Sequence, residues 1–91
     1  MSTEQLLAER EKTHGSFYVH ASYTTHLKEC MREGQGFARL IQEHQEALDM
    51  IAHKIGRILA GNPQCRDHWA DIAGYALLAE RACKKEAQHD L

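Results

Sequence analysis

EHQEALDMIAHKIGRILAGNPQCRDHWADIAGY, residues 43–75, carries two helical periodicities that meet at the chain's single proline, Pro63. Upstream, His44, Leu48, Ile51, Ile55, Ile58 and Leu59 recur at helical spacing on one face. Phe37, Leu40 and Ile41 extend that stripe, which predicts a helix from about 37 to 60. Downstream, Trp69, Ile72, Ala73 and Ala76 form a second stripe, with Asn62 as N-cap and Pro63 at the first helical position. Trp69 and His44 read as core residues of these stripes. Joined by Gly61-Asn62-Pro63, the two helices form an antiparallel hairpin. Such a hairpin needs one apolar face per helix. It does not need Glu43, Glu46, Asp49, His53, Lys54 and Arg57 to be answered by Asp67, His68 and Asp71. That seam is suited to a metal ion and a phosphate.

Two further helices precede the hairpin. Ser2 or Thr3 caps the first, with Gln5 three residues after Ser2 as in a capping box, and the helix runs to about Lys12. Thr13-His14-Gly15-Ser16 breaks the pattern: Gly15 supplies a left-handed C-terminal turn and Ser16 caps the second helix. That helix, from Phe17 to about Arg32, carries Val19, Tyr23, Leu27, Cys30 and Met31, and Gly34-Gln35-Gly36 is the loop after it. The expected fold is all-α, one domain over residues 1–91 with about four helices and a frayed stretch at 84–91. Ninety-one residues bury a modest core, so homo-oligomerisation is expected to complete it.

Composition narrows the function. The net charge is −2 and the basic residues are dispersed, so the footprint of a nucleic-acid binder is missing. No apolar run approaches a membrane span. MSTEQLLAEREK has no signal-peptide core, and the three cysteines, without a CxxC, fit reduced thiols; the expected location is the cytoplasm.

Around a turn centred near Asn62, His53 lies level with Asp71, Arg57 with Asp67 and Asp49 with Tyr75, successive pairs being about 6 Å apart. One reading of this ladder is a seam of ordinary ion pairs, each worth little. The other is a Mg2+ and phosphate site, because magnesium takes one or two protein carboxylates and fills its shell with water and phosphate oxygens. In that reading Asp67, Asp71 and Asp49 hold the metal, and Asp49 or Glu46 activates a water. Lys54 and Arg57 meet phosphates, Arg57 in a bidentate mode, and His53 is a further substrate-binding residue. His14, in a loop beside Gly15, contacts the ligand or serves the turn. Tyr75 stacks on a base or packs between helices.

Glu43-x-x-Glu46 followed after 21 residues by His68-x-x-Asp71 resembles the ExxE…ExxD pattern of MazG-like all-α NTP pyrophosphatases, with His68 in place of a glutamate and Asp67 beside it. More of the chain, from Glu11 to Leu78, is similar to the small phage-encoded nucleotide-modification-associated all-α domain. The similarity runs through Lys12-Thr13-His14-Gly15-Ser16-Phe17, Ala47-Leu48-Asp49-Met50-Ile51-Ala52-His53-Lys54-Ile55, Arg57-Ile58, Asp67-His68-Trp69, Asp71-Ile72 and Gly74-Tyr75. The resemblance implies a helical oligomer of phage DNA metabolism, in the host cytoplasm. It would bind an NTP or dNTP with Mg2+ and hydrolyse it to NMP and pyrophosphate. In a simple hairpin Glu46 and Asp71 are offset by about two turns, so Asp49, Asp67 and Asp71 carry more weight than Glu43 and Glu46. The alternatives are a non-catalytic binder of the same ancestry, sequestering a nucleotide or inhibiting a host protein, and a purely structural helical oligomer.

Overall fold

Thr3–His14 (α1), Phe17–Glu33 (α2), Gln42–Ala60 (α3) and Arg66–His89 (α4), with a single 3-10 turn at Phe37–Arg39, make up the computed structural model. It describes residues 2–89, with side chains to Cys83, and holds no strand among them. The expected four-helix, all-α architecture is therefore present. The expected fraying over 84–91 falls outside the described side chains.

α1 begins at the expected capping box: the Ser2 hydroxyl accepts from the Gln5 amide at 3.1 Å, and the Ser2 amide donates to Gln5 Oε1 at 2.8 Å. It runs two residues past Lys12, to His14, and ends at Gly15, whose φ of 78° suits glycine. Ser16 takes the N-cap position of α2, yet its side chain makes no capping hydrogen bond. The first-turn amides of α2 are thus left without a side-chain cap.

The third helix is shorter than its apolar stripe. Leu40 and Ile41 are extended and separate the 3-10 turn from α3, so Phe37, Leu40 and Ile41 do not share the α3 face. The cause is local: the Gln45 amide reaches back to donate to the carbonyls of Phe37 and Leu40, both at 3.1 Å, and so fixes the bend. The start of α4 also differs from expectation. Asn62 does not cap it; its side-chain oxygen accepts from the Gln64 amide at 2.9 Å, a turn that closes ahead of the helix. Pro63 lies in that turn, and the helix begins at Arg66.

α3 is the central element, with α4 packed along one side, α2 along another and α1 against its C-terminal end. Small residues set the spacing. Ala47, Ala52 and Gly56 of α3 are buried, and a Cβ on Gly56 would meet the Thr24 hydroxyl and the His20 ring of α2. α4 turns His68 and Ala82 inward, with Ile72, Tyr75 and Ala79 half-buried on the same stripe. Trp69 is not core. It is 55 % exposed and its indole donates to the Pro63 carbonyl at 3.0 Å. The inward stripe is set one residue earlier, through His68. His44 is half-buried as expected, its Nε2 donating to the Ala79 carbonyl at 2.8 Å.

The interior is small and polar. Among the described residues its buried apolar side chains are Ala47, Ala52 and Ala82, and His20, Thr24, Lys54 and His68 are buried beside them. Leu7, Phe17, Tyr18, Leu59 and Leu78 each leave more than half their surface in solvent. The Cα radius of gyration is 15.6 Å, against about 12 Å for a compact domain of this length.

Candidate functional site

Two backbone connections are pressed together at one end of the bundle. A Cβ on Gly15 would run into the Ala60 carbonyl, and one on Gly61 into the backbone of Thr13 and His14. The Thr13 carbonyl accepts twice across this contact, from the Asn62 amide at 3.0 Å and from His68 Nε2 at 3.2 Å. The glycines thereby lock the end of α1, the start of α2 and the end of α3 into one junction.

A cleft of about 570 Å³ opens at that junction, and Arg10, His14, Phe17, Tyr18, His53 and Arg57 are among its lining residues. Neither guanidinium, of Arg10 or Arg57, has an ion-pair or hydrogen-bond partner among the described residues. Among the described residues Glu11 is the one carboxylate in the lining, within a chain whose overall charge is negative. Phe17 and Tyr18, at the first turn of α2, are 82 % and 81 % exposed. They form an apolar rim beside the cations.

The histidines report the local field. Burial and then the charges of Arg57, His68, Lys54 and Arg10 push the His14 pKa below its usual value. Burial and then His20, Arg57, Lys28 and Lys54 push that of His53 down to about 4. His14 lies beside His68, with ring centroids 5.1 Å apart. The His20 ring meets the His53 ring edge-on at 4.5 Å, and His20 Nε2 donates to the His53 carbonyl at 3.0 Å. Partial burial first, and the surrounding cations after it, favour the neutral form of His14 and His53.

Of the residues expected to bind a ligand, the fold brings His14, His53 and Arg57 together in this cleft. Lys54 faces α4 instead, where its nearly buried ammonium meets Asp71 at 3.0 Å. Tyr75 sits half-buried in a separate groove on α4 with Asp71, Gly74, Leu77 and Leu78. The level pairs of the simple hairpin are not formed. Asp71 pairs with Lys54 rather than His53, and Arg57 has no ion pair with Asp67. Asp49 turns to α2, where Arg32 holds it in a two-pronged pair at 2.9 and 2.8 Å. That hydrogen-bonded pair first, with the charges of Arg32 and Lys28, keeps the Asp49 carboxyl below its usual range despite partial burial. The physical reason is that α3 is central: one stripe looks to α4, while Asp49, His53 and Arg57 look to α2 and the junction.

The metal set is likewise not gathered. Among the described residues no three His, Cys, Asp or Glu side chains converge as a cation would require. Glu46 and Asp67 are exposed, and neither they nor Asp49 and Asp71 line the cleft. Asp49, Asp67 and Asp71 of one chain therefore do not fit a shared Mg2+ site, and no chemical step runs through one. Arg10, Phe17, Tyr18 and His20 are cleft residues that the sequence pattern did not single out. The available signal was the pair of consecutive aromatics directly after the Gly15-Ser16 break.

The family model described as "Domain of unknown function (DUF6378)" matches residues 2–83, and the chain belongs to that family. Comparison with curated proteins and with solved structures returns no match.

Proposed function

We propose that this member of the DUF6378 family binds a nucleotide, an NTP or dNTP, in the junction cleft. The observation that carries the reading is the pair of unpartnered guanidiniums, Arg10 and Arg57, in one cleft with two exposed aromatic rings. Guanidinium forks match phosphate oxygens, and aromatic faces stack on bases whatever the base. His14 adds a donor among the phosphates, and the cleft's volume lies in the range of small-molecule sites. The protein acts as a homo-oligomer, because its large apolar side chains find too little cover within one chain. A non-catalytic binder fits the scattered carboxylates better than a hydrolase does.

Calorimetric titration with a panel of NTPs, dNTPs, monophosphates and free nucleosides, with and without Mg2+, tests this. Triphosphates should bind more tightly than monophosphates, and nucleosides hardly at all. Failure of every triphosphate to bind would remove the reading. Chromatography of the same mixtures reads hydrolysis separately: an NMP with pyrophosphate, lost on adding EDTA, would restore the catalytic alternative and its Mg2+.

A further inference from the structure

His14 ends α1 at the junction and lines the cleft with Arg10 and Arg57. Charged and titratable groups act on it from each element packed there. Arg10 of α1, Arg57 and the Asp71-paired Lys54 of α3, and His68 of α4 influence it electrostatically, while His20 of α2, His53 of α3 and the Glu11 carboxylate share the cleft. The imidazole is only part-buried, so it stays reachable by a ligand, yet its neighbours are mostly positive. In the free protein partial burial, and then that positive surrounding, disfavour a charged ring. An anion seated between Arg10 and Arg57 supplies the missing counter-charge. It cancels the repulsion on the ring and offers an acceptor for the second N–H that only the protonated imidazole carries.

We infer that the cleft takes up a proton at His14 together with its phosphate ligand, so that binding tightens as the pH falls. The inference rests on the cleft being the phosphate site. Linkage gives the sign. The free ring titrates below its usual value and the ligand raises that value, so between the two midpoints binding consumes a proton. Affinity then rises by at most about tenfold per pH unit. Outside that window His14 adds no pH dependence.

An NMR pH titration of the isotopically labelled full chain, with and without inorganic triphosphate, tests it. The imidazole resonances are assigned through bonds, so no substitution is needed. The His14 midpoint should rise by about one unit or more when triphosphate is present, the size expected of an opposite charge at close range. His26, on the exposed face of α2, should stay where it is. Triphosphate that shifts the Arg10 and Arg57 signals while leaving the His14 midpoint unmoved would overturn the proton linkage alone. No shift at any cleft residue would overturn the phosphate-site reading and the linkage with it.

Discussion

His53 and the glycine pair Gly15–Gly61 are the residues on which the cleft depends. His53 is neutral in the folded chain down to a pKa of about 4, because burial and then His20, Arg57, Lys28 and Lys54 disfavour its charge. In the unfolded chain it takes up its proton near the ordinary value of 6.5. As the pH falls from 6.5 towards 4 the unfolded state therefore gains the proton first, and stability drops. The loss is about 1–2 kcal/mol once screening of this part-exposed ring is allowed for. His14 shifts in the same direction and adds to it. Urea unfolding at a series of pH values reads the slope, and His53→Gln should flatten it; equal stability at pH 7 and pH 4.5 would contradict this account. Gly15→Ala and Gly61→Ala should each cost about 2 kcal/mol or more, which lowers the melting temperature by roughly 10 °C in a chain of this size. Melting curves that superimpose on the parent would show that the two connections are not pressed together. Both glycines were legible as breaks in the helical pattern. Their contact with each other was not, because it joins positions 46 residues apart, 61 less 15, through backbone atoms that carry no sequence signal.

The interfaces of α3 divide its charged residues between two neighbours. Arg32 pairs with Asp49, stands 4.7 Å over the Phe37 ring and so ties the end of α2 to the 3-10 turn and to α3. On the other side Asp71 answers the nearly buried Lys54 ammonium. Asp71→Ala leaves that ammonium without its partner and should destabilise the protein by about 1–2 kcal/mol, less than a fully buried pair because Asp71 is half exposed. Thermal unfolding of the variant checks it; an unchanged midpoint would contradict the role of the Asp71–Lys54 pair in holding α4 to α3. The four helices were readable because their stripes, the Ser2–Gln5 capping box and the glycine breaks agree. The level pairs were not, because a two-helix register assumes that every polar residue of α3 faces α4. With α2 on another side, Asp49 and His53 belong to a different interface from Lys54. Trp69 misled for a related reason: size argues for burial, but His68 fills the inward position and bonds to Thr13.

At the scale of the whole molecule the chain combines an extended shape with an interior, among the described residues, of small side chains, histidines and one lysine. Leu77 and Leu78 of α4 and Leu6 and Leu7 of α1 remain exposed. Sedimentation equilibrium should give a multiple of the 10.4 kDa chain mass at micromolar concentration, and a stable species of the single mass would contradict the oligomer. Shortness of the chain already pointed that way in the sequence. The cleft did not show itself there, since Arg10, His14, Phe17, His53 and Arg57 come from three helices and meet only when the junction closes. The central claim is that this junction binds a nucleotide through its unpartnered arginines. The most direct measurement compares the affinity of the parent and of Arg57→Gln for the tightest-binding triphosphate, with a melting curve for each. The account predicts affinity at least about tenfold weaker with the melting temperature unchanged, the loss expected when a charge-assisted phosphate contact is removed. Equal affinity in the two proteins, or no triphosphate binding to the parent, would contradict it.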